Sequence, residues 1–480
     1  MGIRPLAPLK RGSSDQLAQV DWDAALREFV GRMKEIQWRH GPESIAVLAP
    51  ARLVTEEWLL LRTLVEGTLS AKASAMLPAG TIASLRACQS AWDVPAPPGV
   101  FDEIETAETI VLVGTSLAQR QPHLWQRLLN NRLDPTVLVV DSRQSETVRW
   151  PGSLLVQPGS EADLFRGVAR ILVEQALVDP LDFTPETDSV SDFLDSLNSV
   201  DLAEVVRTTG LSLSAIVSLA ETIGSSDRLS MWWPDDNPDL PEDLPSTMMN
   251  LSLLMSTASR AGGGANPLLS PWNVLGMCAA GVAGISKQEL NTAFFPSLEA
   301  LQESLGSKQI QALWILNSNA ETTKLPDALQ DSLHDLEFLV VQGNAVDPDV
   351  EAAADLILPT TTWGEKTGSF ISAERRCGVL TAVDKPPGEA LSDHEILVRL
   401  LDLWGEPAPG RSPAETFEHL TNLSRGTWWD LNSLGSPDDI RDRPGRQCGA
   451  SRGTGNTSGP VSLWQQNDNA ASHRPHFIVK

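Results

Sequence analysis

Apolar and polar positions change register repeatedly along this chain, with short aliphatic runs set between longer stretches of helical spacing. The first long stretch, from Asp21 to Gly41, places Leu26, Phe29, Val30, Met33 and Ile36 on one helical face, with Asp21 or Asp23 as N-cap and Gly41 as the stop. A buried strand over 44–50 follows, then a helix over 55–69 in which Thr55 is the cap and Glu56 and Glu57 suit the positive end of the helix dipole. The runs 109–114, 136–141 and 153–159 read as strands ending at Gly114, Asp141 and Gly159, and a helix begins after the last. Helices are predicted over 202–224 and 245–260. The prolines of Met231 to Pro245 argue against regular structure between them. Further strands are predicted at 311–317, 337–343 and 354–359. Strand–helix alternation of this kind implies parallel sheets, so the fold class is α/β.

The 480 residues suffice for two or three domains, and 41% hydrophobic content is that of a globular chain. Residues 1–20 read as a polar arm, and 406–480 as a polar, disordered tail that is richest in Gly, Ser and Asn over 443–475. A net charge of −25 argues against nucleic acid as a partner, because phosphate binding needs a cationic face. Cys88, Cys278, Cys377 and Cys448 are scattered singly, which fits neither a disulfide framework nor a cysteine-ligated cluster and suits a reducing compartment. No leader-like apolar segment and no run long enough to span a bilayer is present, so the expected location is cytoplasmic, at most at the cytoplasmic face of a membrane complex.

Several strand ends carry motifs in a fixed order. They are Val20–Leu26, GTSLAQRQP at 114–122, VVDSRQSET at 139–147, QPGSEADL at 157–164, LNSNAE at 316–321, VVQGNAVDPDVEAAADLILP at 340–359 and EKTGSF at 365–370. Together these resemble the molybdopterin oxidoreductase superfamily, with formate dehydrogenase and nitrate reductase large subunits as the enzymatic members. They also resemble the homologous body of the large iron–sulfur subunit of respiratory complex I. The resemblance implies two interleaved Rossmann-like parallel-sheet domains, one over 21–95 and 245–405 and the other over 96–244. It implies contacts to a molybdopterin guanine dinucleotide from Gly114, Ser116, Asp141, Arg143, Gly159, Glu161, Asn319, Gln342, Glu365 and Gly368. In that scheme Asp141 meets a ribose hydroxyl, Arg143 a phosphate and Glu161 the guanine edge.

Other family features depart from the pattern. The metal ligand is expected within residues 71–85, where Pro78 stands at about the family's cysteine position and has no donor atom. The family's iron–sulfur module would precede residue 20 and its C-terminal domain would follow residue 405, so no iron–sulfur cluster is expected in this chain. The functional expectation is therefore a structural or assembly subunit of a redox complex, with other subunits and an iron–sulfur protein as partners. The alternative is a molybdenum or tungsten bis(pterin guanine dinucleotide) oxidoreductase subunit completed by partner chains. No catalytic residue and no protein metal ligand is assigned in either case.

Overall fold

The computed structural model describes residues 4–69, 71–92, 95–97, 99–143, 152–178, 190–255, 264–270, 273–281, 298–318, 332–425, 431 and 440. The described residues up to Leu77 and beyond Ser270 form one compact unit, and those from Pro78 to Ser270 form the other.

The parallel strands of the first unit are β3 (Ile45–Pro50), β4 (Lys72–Met76), β10 (Ala312–Ser318), β11 (Phe338–Gly343) and β12 (Leu356–Pro359). With β1 (Leu9–Arg11) and β2 (Leu17–Gln19) they form a seven-stranded sheet in the order β2-β1-β12-β11-β10-β3-β4. Alternate residues face opposite sides. Ala46, Leu48, Leu313, Ile315, Leu339 and Val341 pack with Leu301 and Leu305 of helix Leu298–Gly306. On the other side Trp314 meets Phe29 of helix Trp22–His40 edge-on at 4.9 Å. A sheet covered on both faces is why these strands read as continuous apolar runs. Asp21 caps helix Trp22–His40, its Oδ1 accepting from the Ala24 N–H at 2.8 Å.

Two expectations about the ends are corrected. Residues 1–20 are not simply an arm, since β1 and β2 form a hairpin that pairs antiparallel with β12. Arg11 anchors it by donating to the carbonyls of Ala354, Glu351 and Ala352 at 2.8, 2.8 and 2.9 Å. Three-residue strands are too short to show alternation, so the sequence pattern misses them. Beyond residue 405, helix Pro413–Leu423 is capped by Ser412 and buries Thr416, Phe417 and Leu420. The remainder of the expected tail, including 443–475, lies outside the described residues.

The strands of the second unit are β5 (Thr109–Val113), β6 (Thr136–Asp141), β7 (Gly152–Leu155), β8 (Leu229–Pro234) and β9 (Gly264–Leu268). They form a five-stranded, wholly parallel sheet in the order β7-β6-β5-β8-β9. Val111, Val113, Leu138, Val140, Met231 and Trp233 face one core, and Ile110, Leu112, Val137, Val139 and Trp232 the other. The segment from Met231 was expected to be irregular, yet it forms β8. The two tryptophans are buried one on each face, and Pro234 ends the strand, beyond its pairing with β5. Helices Ala79–Trp92 and Leu244–Leu254 pack together in this unit, and Trp233 donates to Ser84 Oγ at 3.1 Å. The boundaries therefore fall near 77 and 270, rather than at the 95 and 244 expected from sequence.

Candidate functional site

In each unit the strand order reverses direction once, between β5 and β8 in the second and between β10 and β3 in the first. Open parallel sheets bind ligands beyond the carboxyl ends of strands at such a point.

In the second unit β5 runs into Gly114, which has φ +58°. Its carbonyl accepts from Asn237 Nδ2 at 2.9 Å, tying the β5 turn to the segment after β8. A Cβ at Gly114 would lie 2.7 Å from Leu240 Cδ2 and 3.2 Å from Asn237 Nδ2, so any other residue would strain the backbone and displace the Leu240 side chain. The buried hydroxyls of Thr115 and Ser116 have no hydrogen-bond partner. Asp141 ends β6 at 7% exposure, and its Oδ1 accepts from the Arg143 N–H at 2.9 Å. Arg143 is largely exposed and pairs with Asp239.

Beyond β7, Gly159 has φ +80° and open space around it. Ser160 donates back to the Gln157 carbonyl at 2.6 Å, and helix Glu161–Glu174 begins. Glu161 is 0% exposed and neither carboxylate oxygen has a hydrogen-bond partner. Burial raises its pKa, and the charges of Asp141 and Asp239 raise it further. The backbone N–H groups of Glu161 and Gly159 oppose the rise without reaching bonding geometry. A buried, unsatisfied carboxylate is costly, and this one is held at a helix N-terminus ready to accept two donors. Gly114, Ser116, Asp141, Arg143, Gly159 and Glu161 thus stand at or beyond the carboxyl ends of β5, β6 and β7.

In the first unit Gln342 lies near the end of β11, fully buried. Its Nε2 donates to Asp393 Oδ1 at 2.8 Å, while its Oε1 has no partner. Thr360 and Thr361, just past β12, are buried with unpartnered hydroxyls. Lys366 Nζ bonds Glu57 Oε1 and Oε2 at 3.0 and 2.8 Å and Asp393 Oδ2 at 2.9 Å. Glu56 Oε2 accepts from the Ser369 N–H at 2.8 Å. Glu56 and Glu57, read from sequence as helix-start acids, are therefore also buried partners of the β13–β14 hairpin (Gly368–Ile371 and Cys377–Leu380) and of Lys366, two residues before it.

Glu365 accepts from the Thr362 N–H at 2.9 Å and pairs with Arg4, and these contacts lower its pKa against the effect of burial. Gly368 is a packing glycine, since a Cβ there would lie 2.6 Å from Val54 Cγ2. Asn319 lies outside the described residues. Arg52, which sequence reading passed over, follows β3. Burial lowers its pKa, and its carbonyl accepts from the Trp363 indole at 2.7 Å. Nothing in its local pattern marked it; only the sheet brings it to the crest.

Pro78 precedes helix Ala79–Trp92, and its carbonyl accepts from the Thr81 N–H at 3.0 Å. Cys88 is buried on that helix in the apolar core of the second unit. Among the described residues no group of three His, Cys, Asp or Glu side chains could hold a metal ion.

The family profile for molybdopterin oxidoreductases matches residues 4–403. The chain belongs to the molybdopterin oxidoreductase family. Among its relatives, a nitrate reductase of Synechocystis sp. is 26% identical over 434 residues, covering 83% of this chain and 60% of the relative. A nitrate reductase of Klebsiella oxytoca is 25% identical, covering 84% and 49%. An F420-dependent formate dehydrogenase subunit alpha of Methanocaldococcus jannaschii is 23% identical, covering 81% and 60%. The chain thus spans 49% to 60% of these relatives' own length. Acetylene hydratase from Pelobacter acetylenicus superposes with a TM-score of 0.74 at 16% identity, over 98% of this chain and 69% of that one. The fold of the described residues, with its two mainly parallel sheets, is therefore that of the molybdopterin oxidoreductase family.

Proposed function

We propose that this chain is the cofactor-binding body of a molybdenum or tungsten bis(pterin guanine dinucleotide) oxidoreductase of the nitrate reductase or formate dehydrogenase kind, completed by partner chains. Glu161 is the observation that carries this reading. A protein that used the fold only as scaffold would gain stability by replacing a buried carboxylate that bonds to nothing. A guanine edge offers two N–H donors side by side, which matches the two free oxygens of Glu161. Asp141 nearby suits a ribose hydroxyl, and the hydroxyls of Thr115 and Ser116 suit polar groups between them. In the first unit Gln342, Thr360 and Thr361 supply the same kind of unsatisfied polar atoms. When bound, the cofactor supplies two-electron redox chemistry at its metal. The residues described here bind and orient it, and electrons would pass to an iron–sulfur partner.

The second reading is a structural or assembly subunit without metal chemistry, and Pro78 favours it because the position has no donor atom. Native purification with co-purifying chains, followed by molybdenum, tungsten and pterin measurement, separates the two. Metal and pterin in stoichiometric amounts support the first reading, and their absence from the intact complex overturns it.

A further inference from the structure

Gln342 sits in a chain of buried polar groups that leaves its amide only one orientation. Lys366 has three ammonium hydrogens, spent on Glu57 and on Asp393 Oδ2, with distances of 2.8 to 3.0 Å. All three side chains are at most 1% exposed. Asp393, paired with the ammonium, meets Gln342 as a carboxylate, and a carboxylate can only accept. Its other oxygen therefore requires the Nε2 of Gln342, at 2.8 Å. The Gln342 oxygen is left over, wholly buried and unpartnered at the carboxyl end of β11. Thr360 follows the adjacent strand β12, held by its N–H to the Gly343 carbonyl at 3.0 Å, and its hydroxyl is unpartnered too.

We propose that Lys366, Glu57 and Asp393 are positioning residues that lock Gln342 with its carbonyl oxygen toward the ligand, so that this crest selects an N–H or O–H donor and rejects a phosphate oxygen. The proposal rests on the cofactor-binding reading above. It assigns the crest around Gln342 to a ring or amine edge of the cofactor and not to its pyrophosphate.

Asp393→Asn tests the lock. The remaining Glu57–Lys366 pair is charge-balanced, so the variant should fold. Lys366 still demands an oxygen, so the introduced amide turns its nitrogen toward Gln342. Gln342 then flips and presents a donor where the ligand also presents one. The readout is the rate at which pterin leaves the purified complex, followed by its fluorescence. Asp393→Asn and Gln342→Met should each speed release about tenfold, the worth of one good hydrogen bond. The double variant should release no faster than Gln342→Met alone, because Asp393 acts through Gln342.

Unchanged release in Asp393→Asn, or additive acceleration to about a hundredfold in the double variant, overturns the lock. Should Asp393→Asn fail to fold, Asp393→Ala decides, since it removes the acceptor that fixes the Gln342 amide and leaves the Glu57–Lys366 pair charge-balanced. Fast release like that of Gln342→Met supports the lock, and wild-type release refutes it. A wild-type complex without pterin refutes the proposed function itself, and this inference falls with it.

Discussion

Lys366 donates to both carboxylate oxygens of Glu57, at 3.0 and 2.8 Å, across 309 residues of sequence. Glu57 also accepts from the Val54 N–H at 2.9 Å, so the pair closes the turn after β3 onto the segment after β12. A buried ion pair of this geometry is worth little against an apolar substitute, but breaking it strands a charge.

Lys366→Met should therefore destabilise the chain by about 3–5 kcal/mol, because it leaves both Glu57 and Asp393 buried without a cation. Glu57→Gln should cost less, since Asp393 still pairs with Lys366. Denaturant unfolding midpoints measure both, and a Lys366→Met cost no larger than that of Glu57→Gln would contradict the pairing described.

Glu161→Gln should act in opposite directions on stability and binding. The cofactor-free protein should gain about 1 kcal/mol, because the desolvated charge is removed and only a helix-dipole contribution is lost. Pterin retention should fall, because an amide cannot accept at both atoms. A stability gain with unchanged retention would place the guanine elsewhere.

Gly114→Ala and Gly159→Ala both force an L-residue into the left-handed region, with φ +58° and +80°. Only at Gly114 does the new methyl also collide, with Leu240 at 2.7 Å. Gly114→Ala should cost about 2–3 kcal/mol and Gly159→Ala about 1 kcal/mol. Equal melting temperatures for the two would refute the distinction.

Two buried acids set a pH dependence. Burial pushes Asp235 up from 3.8 to about 6, against the hydrogen bonds from Thr81 and Ser270. Burial pushes Glu57 up from 4.5 to about 7, with Lys366 opposing and Asp393 adding to the rise. A raised carboxylate gives stability that is whole below its unfolded value and is lost as pH climbs through the folded one. The Asp235 share should therefore disappear between pH 3.8 and about 6, and the Glu57 share between 4.5 and about 7. Asp235→Asn should flatten the lower part of that slope, since the Thr81 hydroxyl can reverse its role toward an amide. A slope identical to wild type would show that Asp235 titrates normally.

The sequence by itself determined the α/β class, most of the parallel strands and the family, because buried parallel strands are locally apolar and their ends carry turn chemistry. The positions of Gly114, Asp141 and Glu161 at or just beyond strand ends were readable for the same reason. Tertiary structure alone decided the rest. The β1–β2 hairpin exists only because β12 offers an edge, and β8 forms because Trp232 and Trp233 find a core on each face. Glu57, Lys366 and Asp393 look like surface charges in sequence, and they become one buried network only when three distant segments close over them. Local pattern reports which face of an element is apolar; it cannot report which distant charge will satisfy a buried one.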